Sequence, residues 1–269
     1  MIGVWVMVSY DQVRIDSNRN TTRQSVFTLG SYDLSVKVLF NPSRYPAIES
    51  ILHDGKDAEP SLVDDVYDRI LLRIITGDLK GGSELKSTRL ATELQVSRTP
   101  VIQALARLSA DGIVVQPRHQ RATVRPNAEN WLVDIHQVRQ LVEPQAAAQA
   151  AGNIPTDVIS DLTMLAREAH PTKLHEWQSA ARHFDYALHL TIAEFCGNLA
   201  MRSAIRRCWD YKRISYQVGG DSDRGLRQGF REHEAILAAL EAGDSASASE
   251  AVRSHLESAA KHRPRTHIV

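Results

Sequence analysis

A mainly α-helical chain is predicted, an N-terminal winged helix-turn-helix of three helices plus a β-hairpin wing followed by an all-α bundle of six helices. Three observations carry that prediction. Between Leu85 and Leu108, two short amphipathic runs, one on Leu90, Ala91 and Leu94 and the other on Val101, Leu105 and Leu108, are separated by Gln95 and Val96. Directly after them, two β-prone runs, Ile113 to Val115 and Ala122 to Val124, flank a basic tip of Pro117, Arg118, His119, Gln120 and Arg121. Beyond Pro126 the chain turns into long Ala-rich amphipathic segments punctuated by Gly and Asn, with no credible strand.

The first sixty residues carry the least pattern. Met1 to Val8 is apolar but has no Lys/Arg-rich leader, no small-residue cleavage site and too little length to span a bilayer, so neither secretion nor anchoring is implied. Ser9 to Pro60 shows weak alternation near Val4 to Ile15 and turn residues at Asn41, Pro42 and Pro46. It reads either as a flexible extension or as translated sequence upstream of the true start. The partition that follows is 1–60 as extension, 61–125 as the winged helix, 126–263 as a helical domain, and 264–269 as a tail.

From Leu62 the pattern sharpens. Val63, Val66, Ile70, Leu71 and Ile74 make one helical face that Gly77 ends, and Asp78 to Ser83 is a loop. Ser97 is the expected N-cap of the second short helix, with Arg98 and Thr99 exposed on its first turn and Pro100 where a missing N–H costs nothing. Such an N-terminus offers free N–H groups and the positive end of the helix dipole to an anion, the geometry with which a recognition helix meets a phosphate and reaches base edges. Gly112 is the expected C′ residue of that helix. In the bundle, helices are expected from Asn127 as cap through Ala151, Thr156 to Ala169, Lys173 to Cys196, Leu199 to Gln217, Asp223 to Ala242 and Ser245 to His262.

The formal net charge of the 269 residues is zero, which gives no global sign of nucleic-acid binding. Its distribution does: Lys86, Arg89, Arg98, Arg107, Arg118, Arg121 and Arg125 face only Glu93 and Asp111 in their stretch, a basic patch on a neutral molecule. The alternative, a merely solvated face, leaves cap and hairpin unexplained. Two cysteines, Cys196 and Cys208, are too few for a disulfide framework or a zinc ribbon and fit a reducing cytoplasm.

Polar residues recur on faces of the bundle that ought to be buried. Asp185 and His189 project from one helical face, and His233 and His255 are each flanked by apolar residues at helical spacing. Imidazoles with a carboxylate make a site for a divalent cation such as Zn, Ni, Co or Mn. Spacing alone does not separate that from histidines hydrogen-bonded in a core, their more common use.

Two stretches resemble known families. Ile75 through Leu79 with Gly81 and Gly82, Leu90-Ala91 through the Ser97-Arg98-Thr99-Pro100-Val101 run, and Leu108 through Asp111-Gly112-Ile113 are similar to the DNA-binding domain of GntR-type bacterial regulators, over about Leu62 to Arg125. The resemblance implies DNA contacts from Arg98 and Thr99 and, at the wing tip, from Arg118 and His119; Lys86, Thr88, Arg89, Ser97 and Arg121 complete the candidate set. The sequence departs from the pattern at Ile102 and Gln103, where Arg-Glu is common, at Thr88, where an Arg often stands, and at Arg121, where Gly is frequent. Arg89 and Arg121 are the candidates to supply missing contacts. Further on, Arg139 and Glu143, Phe184-Asp185 to His189, Gly197-Asn198, Glu232-His233 to Ile236, Gly243-Asp244 and Ser254-His255-Leu256 resemble the FCD effector domain of the FadR-like branch, and six helices rather than seven suggest its VanR-like variety. That resemblance implies Asp185, His189, His233 and His255 as ligands of a divalent metal on which a carboxylate-bearing metabolite docks.

Arg139 lies one turn before Glu143 on a semi-apolar face, where an unpaired guanidinium would be costly. It either pairs with Glu143 or binds a ligand carboxylate, and the two can alternate. The expected function is therefore a cytoplasmic, homodimeric, ligand-responsive repressor on a pseudo-palindromic DNA operator, released by a small organic acid, with no membrane role. Activation is mechanically equivalent; promoter position decides. Two rivals remain: a metal-dependent hydrolase using Glu143 or Glu232 as base, against which stands the lack of an HExxH run, a phosphate loop or a nucleophile elbow, and a bundle that only dimerises.

Overall fold

The structure, a computed structural model, describes residues 44–53, 61–118, 120–171, 177–216 and 222–261. The winged helix begins at α2 (Leu62–Ile75), whose start is fixed by a capping box: the Ser61 hydroxyl accepts from the Asp64 N–H and the Asp64 carboxylate accepts from the Ser61 N–H. Its inner face buries Val66, Ile70, Leu71 and Ile74, joined by Tyr67 and Ile75, while Val63 is half-buried. Helix α3 (Ser87–Leu94) closes on Gln95, which takes a left-handed φ of 57° so that the chain reverses into α4 (Arg98–Ala110). At the far end of α4, Gly112 adopts φ +80°, and the Ile113 N–H reaches back to the Leu108 carbonyl at 3.0 Å, the Schellman closure expected of a glycine there.

The hairpin pairs β2 (Val114–Val115) with β3 (Ala122–Val124), Val114 opposite Val124. A third strand, unforeseen from residue pattern, is present: β1 (Glu84–Leu85) pairs with β3, which becomes the centre of a β1-β3-β2 sheet. Two residues cannot show an alternation; only the pairing reveals them. A side chain at Gly81 would bring its Cβ to 3.0 Å from the Pro126 Cα, so glycine there lets the loop lie against the segment leading into the bundle.

The helical part contains α5 (Trp131–Ala150), α6 (Thr156–Glu168), α7 (Trp177–Phe195), α8 (Leu199–Ser215), α9 (Asp223–Glu241) and α10 (Ser245–Lys261). Each lies within the expected segment; Lys173, Gln217 and His262 fall outside the described residues. One start is corrected. Asn127, with φ 65°, precedes a 3₁₀ turn (Ala128–Asn130) rather than α5 itself, and its side chain makes no capping bond. Helix α5 packs most extensively against α10 and also against α8 and α7, so it is the central rod of the bundle.

A helix lies where the sequence showed no pattern. Helix α1 (Pro46–His53) packs on α6 and α7. The buried Asp161 carboxylate of α6 accepts from the Ala47 N–H at 3.0 Å and the Ile48 N–H at 3.4 Å, and Arg206 donates to the Ile51 carbonyl. Eight residues are marginal as an isolated helix; bundle side chains at both ends satisfy what the helix leaves open.

Two apolar clusters form, and α8 belongs to both. Trp209 and Ile205 lie in the bundle core, whereas Tyr211 and Ile214 join the core of the winged helix. Among the described residues, no helix is long and apolar enough to cross a membrane.

Candidate metal centre and nucleic-acid interface

Asp185 and His189, one turn apart on α7, meet His233 from α9 and His255 from α10. One ligand atom from each lies within 4.8 Å of all the others. Asp185 Oδ1 is 3.2 Å from His233 Nε2 and 3.5 Å from His189 Nε2, and His233 Nε2 is 3.2 Å from His255 Nε2. Edges of that length surround a cation bound at about 2.1 Å, for which adjacent ligands sit roughly 3.0–3.4 Å apart.

The outer atoms settle which nitrogens face inward. His255 Nδ1 is 2.9 Å from Glu232 Oε2, and His189 Nδ1 is 2.7 Å from Glu143 Oε2, the latter too bent for a good hydrogen bond. A carboxylate beside Nδ1 keeps the proton there and leaves the Nε2 lone pair turned inward. Lone pairs of His189 and His255 then converge with an oxygen of Asp185 and with His233 Nε2. Asp185 Oδ1 and His189 Nε2 are also buried without a hydrogen-bond partner among the described residues. A divalent cation resolves both problems, and the donor set fits one.

Electrostatics agree. Burial lowers the His255 imidazole to about 3, and burial outweighs Glu143 in lowering His189, so both rings stay neutral and able to ligate. Burial would raise Asp185, but His233 and Lys212 hold it well below the usual carboxylate range. Burial likewise opposes ionisation of Glu232, yet hydrogen bonds from His255 and Gln228 bring it to about 2.

A cavity of about 260 Å³ opens beside this cluster, lined by Asp185, His233 and His255 and by Arg139, Lys212 and Tyr216. The Tyr216 hydroxyl donates to Asp185 Oδ2 at 2.7 Å; Lys212 Nζ lies 3.9 Å from the same oxygen and 3.8 Å from the Tyr216 ring centre. Arg139 is 2% exposed and bound through Nε to Glu143 Oε1 at 2.6 Å and through Nη2 to Oε2 at 3.3 Å. Its guanidinium also stacks 4.2 Å from the Trp209 ring, whose Nε1 donates to Glu143 Oε1 at 3.1 Å. Of the two uses the sequence left open for Arg139, internal pairing is the one seen in this state. Sequence reasoning does not find Trp209, Lys212 and Tyr216, and it names Glu232 only as a candidate base, whereas its carboxylate lies against His255 Nδ1. Positions 209, 212 and 216 share one helical face, a signal without meaning until α8 is known to lie against the cluster.

The DNA-reading candidates occupy the winged helix. Lys86, at the N-cap of α3, and Thr88 and Arg89 on its first turn are exposed. Ser97 holds the N-cap position of α4 without a side-chain capping bond, and Arg98 and Thr99 follow it exposed. Arg118 is exposed between the hairpin strands, while His119 lies outside the described residues. Arg89 and Arg121 are already partnered, by Glu93 at 2.5 Å and Glu84 at 2.7 Å. Exposed pairs of this kind are weak, so a phosphate can take either cation over.

Comparison with known proteins agrees with this architecture. Residues 62–124 match the family of bacterial regulatory proteins of the gntR type, and residues 134–258 match the FCD domain. The putative L-lactate dehydrogenase operon regulatory protein of Escherichia coli K12 is 27% identical over 220 residues, covering 72% of this chain and 83% of its own. The probable D-xylose utilization operon transcriptional repressor of Paenarthrobacter nicotinovorans is 26% identical over 202 residues, covering 73% and 86%. Among solved structures, E. coli McbR/YncC shares the fold with a TM-score of 0.51 at 23% identity, over 73% of this chain and 94% of that one. A DNA-reading winged helix joined to an FCD domain with a metal-competent cluster makes this chain a DNA-binding transcriptional regulator of the GntR family.

Proposed function

We propose that the protein is a homodimeric repressor, of the FadR-like branch and its VanR-like variety, that leaves a pseudo-palindromic operator when a small organic acid binds at the metal site. The six-helix bundle supports the subfamily. Asp185, His189, His233 and His255 hold the metal; Arg98, Thr99 and Ser97, with Lys86, Thr88, Arg89, Arg118, His119 and Arg121, meet the DNA. The observation that carries the reading is the position of α8. One face presents Trp209, Lys212 and Tyr216 to the metal cluster and its cavity. The other presents Arg207 and Tyr211 to the winged helix. Arg207 pairs with Asp111, the C-cap of α4, which also accepts from the Tyr67 hydroxyl at 2.5 Å. Arg213 lies 3.5 Å from Asp68 on α2.

A ligand that favours one placement of α8 over another therefore acts on the recognition helix through a rigid rod and a partly exposed polar seam. Bound cation, Arg139 and Lys212 together outweigh Asp185, Glu143 and Glu232, so the cavity favours an anion. A carboxylate completes the cation's shell, which supplies Lewis-acid attraction when bound. Lys212 is placed to meet a second polar group of the same ligand, and Arg139 can do so by leaving Glu143. The cavity volume suits a small hydroxy acid or sugar acid, in keeping with the L-lactate dehydrogenase operon in the name of one relative.

The test is operator binding by metal-loaded and chelator-treated protein across a panel of hydroxy acids, sugar acids and dicarboxylates. At least one acid is expected to weaken DNA binding about 5- to 150-fold in the loaded protein and not in the stripped one. Equal operator affinity with every acid, in both forms, would overturn the switch while leaving DNA recognition intact.

A further inference from the structure

The surface of α4 that the winged helix leaves open is unusually apolar for a face that meets DNA. At ~100° per residue, Arg98, Ile102, Ala106, Thr99, Ala110 and Gln103 follow one another around an arc of about 140°. All six are exposed, while Val101, Ala104, Leu105 and Leu108 on the opposite side are buried. Ile102 is 49% exposed, which no packing requirement of the domain accounts for. Neither the Gln103 nor the Arg98 side chain makes a hydrogen bond or ion pair with another described residue.

From this juxtaposition we infer that Ile102 and Gln103 are specificity-determining residues that read an A·T-containing step in each operator half-site. Gln103 presents its amide to adenine N6 and N7, and Ile102 packs on a neighbouring thymine methyl. The inference rests on the DNA-reading role of α4 and is independent of the effector switch. The chemistry is selective: in the major groove only adenine offers an acceptor at N7 beside a donor at N6, which a carboxamide matches with its N–H and C=O. Only thymine offers a methyl group, for which an exposed Ile side chain is a partner and a cation is not. Ala106, between these side chains on the arc, lets the helix approach the groove floor without a long side chain holding it away. Arg98, at the N-terminal edge, is left to a phosphate, with the α4 backbone N–H groups beside it.

The full-length protein first selects its site from a randomised duplex library, and the enriched site is then rebuilt with base analogues. Replacing one adenine per half-site by 7-deazaadenine removes the N7 acceptor; replacing one thymine by uracil removes the methyl. The first is expected to weaken wild-type binding about 5- to 100-fold and to leave Gln103→Ala unaffected. The second is expected to cost about fourfold, from one buried methyl, and nothing in Ile102→Ala. Neither variant should change the salt dependence, because no phosphate contact is lost. Wild-type indifference to both analogues at every A·T pair of the site overturns the inference and leaves DNA binding standing. Failure to enrich any duplex overturns both.

Discussion

Glu232 shows how much a single neighbour decides in the metal cluster. Its carboxylate sits on His255 Nδ1, fixing which nitrogen faces Asp185 and His233. Glu232→Gln keeps the shape and removes the charge that orients the ring. Metal affinity, read by competition with a coloured chelator, is expected to fall about 10- to 100-fold; an unchanged affinity would mean that His255 needs no such orientation. Glu143 is less separable, since it serves His189, Arg139 and Trp209 at once. Its replacement would strand a buried guanidinium, so a loss of folding there would say little about the metal.

Helix α8 is where sensing and reading share one element. At Asp111, a carboxylate at the C-terminal end of the recognition helix faces the negative end of the helix dipole, and Arg207 offsets that cost from α8. Asp111→Asn removes the charge without removing bulk. The factor by which the organic acid weakens operator binding is expected to shrink by about 2- to 30-fold, with the acid's own affinity for DNA-free protein unchanged. Titrations of acid in the presence and absence of operator check this, and reciprocity requires the operator's effect on acid binding to shrink by the same factor. A variant that switches as the wild type does would move the coupling to the stretch around Pro126 instead.

At the scale of the molecule, two reading heads have to be held in register for a two-fold operator. Sedimentation is expected to give about twice the 30.0 kDa chain mass. Operators carrying a single half-site are expected to bind at least about a hundredfold more weakly than the full site, since the second contact becomes intramolecular. A monomeric mass with equal affinity for half and full sites would remove the dimer from the reading.

The sequence by itself determined the two parts of the molecule, because their elements are long or sharply punctuated. The 3.6-residue periodicity of α5 to α10, the serine at the N-cap position of α4 and the glycines at 77 and 112 are local properties that survive without neighbours. Candidate metal ligands were legible through the Asp185/His189 spacing and the family resemblance, and their convergence was not, since three separate helices have to pack before the four side chains meet. Tertiary structure alone decided the rest: α1, which depends on Asp161 and Arg206 from the bundle; β1, which exists only by pairing with β3; and the recruitment of Trp209, Lys212, Tyr216 and Glu232. Each of these is fixed by partners many residues away, and hydrogen bonds and burial between distant segments leave no periodicity in the chain that makes them.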